Sequence, residues 1–379
     1  MNRLDRYLFV QHLGPFGFFT LALAGILWLA QTLPLVEIVI DSGRSGLIFL
    51  EFSSLLLPNV LSMILPISAF IATIFTVNKL YTESEMVVAM AAGVSPIRIA
   101  KSTLLFGIFV MMGMYIVVIA LLPIANTRLG DQIQIIKRDA LGTFLREKQF
   151  IHPAPGITIY IKDSSKAGEI IGMFLHDQRD PNSPVTYSAH QALLQQNQNG
   201  DKLELRLVMS NGIAQRYSVK ENTVNTVEFS QFVFDLSDLV NQTHSRNRLP
   251  VEYTLPELLA PQKLIDAGAT RPFGAYFAEG HNKLAQPMLA LILPLFAVAM
   301  LLSAKYRRSG LGVRITITSV LGITALILTL AAKSWVSAEP GQYLAAYFPP
   351  LITLLVAGML LLRANNKGHW KTRVLKGGE

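Results

Sequence analysis

Residues 52–78 read FSSLLLPNVLSMILPISAFIATIFTVN, a run without a single charged side chain. An α-helix rises about 1.5 Å per residue, so roughly 20 apolar residues cross the ~30 Å hydrocarbon layer of a bilayer. This stretch is long enough and apolar enough to do so. Working outward, five more runs meet the same test. The first is Leu13–Val36, after the basic start Arg3 and Arg6. The third follows Lys101 and reaches Ala125. The fourth is Leu284–Ala304, the fifth Ile315–Ala332 and the sixth Gly341–Leu362. A cleaved signal peptide does not suit the first run, which is too long and lacks a small-residue cleavage site close behind it. Six uncharged runs of this length argue against buried helices of a soluble protein. Pro58, Pro66, Pro287 and Pro294 fall within the spans, and neighbouring helices satisfy the carbonyls that proline frees, so kinked helices in a bundle are expected.

Composition agrees. Only 15% of the 379 residues are charged, against about 25% in soluble proteins. There is no cysteine, which excludes disulfides, thiolate nucleophiles and Cys-ligated metals. The net charge of +8 is explained by placement rather than by nucleic acid. With the N-terminus in the cytoplasm, the inner segments hold Arg3, Arg6, Lys79, Arg98, Lys101, Lys305, Arg307, Arg308, Arg314, Arg363, Lys367, Lys371, Arg373 and Lys376. The short outer loops hold only Arg44 and Lys333. Lysine and arginine favour the inner side, so both termini are expected in the cytoplasm and the segment between spans three and four in the periplasm.

That segment, 126–282, is polar and reads as strands. Gly156–Ile161, Leu203–Val208 and Val227–Phe234 alternate apolar residues with others, the period of a strand with one buried face. Asp180–Pro184, Asn199–Asp201 and Asn211–Gly212 read as turns. A sandwich or jelly roll follows, with enough chain to bury a core without disulfides. The stretch 241–283 reads as loop with a short helix near Pro256–Ala267. The chain thus divides into spans one to three (1–125), an inserted all-β, jelly-roll-like domain (126–282), and spans four to six with a basic tail (283–379).

No phosphate-binding GxxxxGK[ST] loop is present, nor HExxH, GxSxG or GxGxxG. No span carries an acid pair at its centre. His12 and His281 lie near membrane boundaries and suit structural roles better than metal binding. No catalytic residue, metal or cofactor is expected. The distinctive stretch is 79–95, KLYTESEMVVAMAAGVS, between spans two and three. Thr82 with Glu85 three residues on matches a capping box, and Gly93 suits a helix C-terminus. A short helix, about 82–93, is predicted on the cytoplasmic face, with Glu85 either capping it or meeting a partner.

At this motif the chain resembles the lipopolysaccharide export permeases of the LptF/LptG (YjgP/YjgQ) type, and its LYTESE string is more like the LptF branch. The order of three spans, inserted domain and three spans resembles the family too, as does LSAKYRRSGLGVRI after span four. The resemblance implies a Gram-negative inner-membrane subunit that pairs with an LptG-like paralogue and is driven by a separate LptB-like ATPase dimer. It implies that lipopolysaccharide, extracted laterally between the first and fifth spans of the two subunits, passes through the inserted domain to LptC-like and LptA-like jelly rolls. It also implies that Glu85, flanked by Glu83 and Thr82, belongs to the helix that docks into the ATPase. The chain departs from the family at Gln31–Glu37, where the first span ends without the usual basic residues. The positive charge is then expected from the partner subunit or from this chain, where Lys333 and Lys283 are the candidate lipid contacts. Lys333, beside Trp335, equally suits an interfacial anchor. Two other classes fit the same spans: a non-transporting scaffold that regulates an ABC-type ATPase, and an intramembrane lipid-modifying enzyme.

Overall fold

The computed structural model describes residues 3–41, 46–139, 148–164, 169–199, 202–218, 222–236, 247–303 and 311–376. Arg44, Lys305, Arg307, Arg308 and most of the Asn199–Asp201 turn lie outside them. The chain divides into two compact units, 1–129 with 248–379, and 130–247. The inserted domain is thus shorter than the sequence suggests. Residues 248–282 belong to the helical unit, because their apolar and charged side chains pack there.

In the helical unit α1 spans Arg3–Asp41, α2 Gly46–Leu55, α3 Leu57–Thr82, α4 Glu85–Ala91, α5 Pro96–Tyr115 and α6 Leu122–Asp139. After the inserted domain come α7 (Leu255–Leu259), α8 (Gln262–Asp266), α9 (Phe273–Leu302), α10 (Gly312–Ala338) and α11 (Phe348–Lys376). Six candidate membrane spans result: Arg3–Pro34, Phe49–Thr82, Pro96–Gln134, Phe273–Leu302, Gly312–Ala338 and Pro340–Asn366. All six expected spans are present, most of them longer than read. Pro58 does not kink a helix; it stands in the first turn of α3, where its missing N–H costs nothing. Pro66, Pro287 and Pro294 lie inside helices. Between α5 and α6 the chain forms a π-helical turn, Ile116–Leu121, just before Pro123, which lacks the N–H that a regular helix would return to Ile119.

The buried centre is α9, packed against α3, α5, α10 and α11. Small residues let the helices approach closely, the usual packing device where lipid is as apolar as the side chains. Gly107 lies against the backbone of Leu291, and Gly322 against the ring of Phe70. By contrast α1 turns Phe18, Leu21, Ile26, Leu29 and Leu33 outward, as a helix facing lipid would.

The inserted unit is one six-stranded antiparallel sheet in sequential order: β1 Phe150–Ala154, β2 Ile157–Ser164, β3 Glu169–Asp177, β4 Val185–Asn199, β5 Lys202–Ser218 and β6 Thr223–Asp235. A jelly roll reaches its two layers by Greek-key crossovers; this sheet gains a sandwich-like core by folding along a crease. Inward residues are spaced by three across one line in four strands: Ile170 and Met173, Ala189 and Ala192, Met209 and Gly212, Phe229 and Phe232. Pairing skips that line, at Gly172, His190, Asn211 and Ser230. Gly172 (φ 68°) and Asn211 (φ 54°) take left-handed backbone there, a conformation that glycine and asparagine tolerate. The inversion keeps apolar side chains on one face at both ends of long strands. Tyr187 and Phe232, on opposite sides of the line, stack with centroids 4.9 Å apart, so the sheet bends toward its apolar face. Asn211–Gly212 is therefore not a turn but part of β5. Asp180–Pro184 is a turn, fixed by Asn182 N donating to Asp180 Oδ1 at 3.0 Å.

Candidate functional site

Two polar groupings stand near opposite ends of α9. From Glu279 to Leu302 the helix is about 35 Å long at roughly 1.5 Å per residue, close to the thickness of a hydrocarbon layer.

The first grouping surrounds α4. The predicted capping box is absent: Thr82 is still in α3, and its hydroxyl donates to the carbonyl of Asn78 at 2.8 Å. The chain reverses instead through Ser84, at φ 63°, an uncommon conformation for serine. Glu85 then opens α4. Gly93, as expected, ends it: at φ 87° it lets Gly93 N donate to Met90 O and Val94 N to Ala89 O, at 3.1 and 3.0 Å. These are the two bonds of a Schellman motif. Met86 is buried against Leu8, Leu80 and Ile99, above a small cavity of about 40 Å³. Thr82, Glu83, Glu85 and Val88 are exposed. One face of α4 is thus locked into the bundle, and the other presents a carboxylate beside an apolar side chain.

Two residues of α1 join this grouping without any signal in the sequence. Tyr7 donates its hydroxyl to Glu85 Oε2 at 2.8 Å. Asp5 is buried and stands 3.9 Å from Arg98 of α5. Contacts this distant in sequence leave no spacing to read.

The second grouping holds both candidate lipid contacts, in different roles. Lys333 of α10 forms an ion pair of 2.6 Å with Glu279 of α9, and its side chain is 38% exposed. Lys283 is fully buried. Its ammonium donates to Val251 O at 3.1 Å and Tyr253 O at 2.7 Å, so it clamps the segment after the inserted domain onto α9. Lys283 is thus enclosed within the helical unit, whereas Lys333 reaches solvent. Nearby, His281 bonds Tyr347 Oη at 3.0 Å and stacks on Tyr343. His12 similarly bonds Leu8 O at 2.7 Å. Both histidines have the structural roles expected. Among the described residues no group of three His, Cys, Asp or Glu is placed to hold a metal.

Six spans, one of them a buried central helix, with an inserted β domain and polar groupings toward both ends of the bundle, define a multi-pass membrane protein. The chain belongs to the family described as lipopolysaccharide export system permease LptF/LptG, which matches it over residues 6–363. It is 26% identical to an uncharacterized protein, RP871, of Rickettsia prowazekii (strain Madrid E), over 95% of this chain and 98% of that one. It is 24% identical to the lipopolysaccharide export system permease protein LptF of Escherichia coli (strain K12), over 36% of this chain and 37% of that one. The likeness to the LptF branch thus rests on about a third of the chain. Membership makes the chain a permease subunit, which fits a non-enzyme and a multi-pass inner-membrane protein.

Proposed function

We propose that the chain is one permease subunit of an ATP-driven lipopolysaccharide exporter. It pairs with an LptG-like paralogue, and a separate LptB-like ATPase dimer drives it from the cytoplasm. The inserted domain lies in the periplasm, supported by the one-sided placement of lysine and arginine. It passes lipid to LptC-like and LptA-like partners. The observation that carries the reading is α4, a short helix with an exposed Glu85 and Val88 and a buried Met86. Such a helix delivers force from a docked partner into the bundle rather than bending away from it.

Lys333 is the proposed headgroup contact. An ammonium partly shielded from water attracts phosphate more strongly than one in bulk solvent. Glu279 already neutralises it, so an anionic headgroup must compete with that carboxylate. The docking half is tested by co-purification of the ATPase. Glu85→Ala weakens it, and Glu83→Ala weakens it less, because Glu83 caps the end of α3, before the reversal at Ser84, and is not part of α4. Equal retention of the ATPase by parent, Glu83→Ala and Glu85→Ala overturns the assignment.

A further inference from the structure

Glu85 is held from behind. Tyr7 lies in the second turn of α1, and its hydroxyl donates to Glu85 Oε2 across 2.8 Å. Gln11, one turn further on, donates from Nε2 to the Tyr7 oxygen at 3.0 Å. With that oxygen accepting from Gln11, its proton points to the carboxylate. The carbonyl of Gln11 in turn accepts from Thr76 Oγ1 of α3 at 3.2 Å. Gln11 therefore links the helices through two separate groups, its side-chain amide on Tyr7 and its backbone carbonyl on Thr76, and with Glu85–Tyr7 these bonds tie α4, α1 and α3 together. Among the described residues, Glu85 Oε1 accepts no hydrogen bond and Tyr7 makes the one side-chain hydrogen bond between α1 and α4.

We infer that Tyr7 is a positioning residue for partner docking: it anchors one oxygen of Glu85 to α1 and leaves the other for a cation of the ATPase. The inference rests on the docking role proposed for Glu85. Tyr7 is 41% exposed, so its hydrogen bond competes with water and adds little to folding. Its worth is directional. A carboxylate held on one side accepts a charge-assisted bond on the other without first being ordered. Movement of the docked helix is then passed to α1, the span with the least of its apolar core buried.

The test uses the whole exporter, with its partner permease subunit and ATPase, in vesicles containing lipopolysaccharide. Lipid transferred and ATP hydrolysed are measured together for the parent, Tyr7→Phe, Glu85→Ala and the double variant. Tyr7→Phe keeps the ring and removes the hydroxyl. It should lower the lipid moved per ATP by about threefold or more, the scale of one solvent-exposed hydrogen bond. In the Glu85→Ala background the same change should add almost nothing, since coupled residues are not additive. A parental ratio in Tyr7→Phe, or an equal loss in both backgrounds, overturns the inference. If Glu85→Ala itself matches the parent, the docking role falls and Tyr7 falls with it. If Glu85→Ala uncouples while Tyr7→Phe is silent, only the role of Tyr7 is lost.

Discussion

Lys333 and Glu279 share one ion pair but not one environment. Their side chains are 38% and 9% exposed, and this inequality predicts an asymmetric response. Lys333→Met strands a carboxylate of α9 nearly out of water. An uncompensated buried charge costs about 3–5 kcal/mol; the partial exposure of the site, with Lys283 one turn along the helix, reduces this to about 2 kcal/mol. Glu279→Gln leaves a lysine that already reaches solvent, and an amide that still accepts from it, at a cost of about 0.5 kcal/mol. The difference corresponds to roughly tenfold in the unfolding equilibrium. Unfolding of the purified protein in mixed micelles, followed as denaturing detergent is added, ranks the two variants. Lipid capture should rank them in the same order. A photo-crosslinker introduced at Ser337, one turn from Lys333, should take up more lipopolysaccharide in Glu279→Gln, which frees the ammonium, and almost none in Lys333→Met. Equal losses of stability, or a larger loss in Glu279→Gln, would refute the burial argument. Capture of ordinary phospholipid alone would reduce Lys333 to an interfacial anchor.

The crease of the inserted sheet is open to a direct test. A Cβ at Gly212 would press into the ring of Phe229 and the carbonyl of Ser188, so Gly212→Val should destabilise the domain by about 3 kcal/mol, seen as faster protease cleavage within 130–247 while the spans stay protected. The carboxyl of Asp177 is held below the usual carboxylate range by Arg179, which donates to it at 2.9 and 2.6 Å. Its folded pKa lies below the unfolded one, so its stabilisation is present above about pH 4 and lost as the pH falls further. Pepsin susceptibility of the domain should therefore rise below pH 4 in the parent and change less steeply in Arg179→Ala. For topology, a cysteine at Val227, which is 63% exposed, should react with an impermeant thiol reagent applied from the periplasm, and one at exposed Ala91 should not. The chain has no cysteine of its own, and reversed labelling would invert the orientation.

The spans were legible because lipid imposes one requirement, a long run of apolar residues, and leaves it in the sequence. Their ends were less so. Arg3–Leu13 continues α1 although it carries Arg3, Asp5 and Arg6, because charges at a helix end reach the interface or pair, as Asp5 does with Arg98. In the inserted domain β2, β5 and β6 were readable from their alternation. The strand β4 was not, since it ends in Gln195–Asn199 with almost no apolar period. Nor was the crease, where a spacing of three interrupts the period of two and Asn211–Gly212 imitates a turn. Lys333 is picked out by its charge and place, and Glu85 by its spacing from Thr82 and the resemblance of its motif. Their partners Tyr7 and Glu279 come from distant helices and depend on the fold. The Thr82–Glu85 spacing suited a cap, yet α3 extends through Thr82 and occupies its hydroxyl.

In the proposed function this chain moves lipid at the expense of ATP hydrolysed by a partner. Its most direct test is reconstitution of the chain with its partner permease subunit and ATPase in vesicles, with the transfer of lipopolysaccharide to an added soluble jelly-roll acceptor measured over time. Transfer should require ATP, require this chain, and drop sharply in Glu85→Ala. Undiminished transfer without this chain, or an ATPase that this chain regulates while no lipid moves in any arrangement, would contradict it and leave a scaffold in place of a permease.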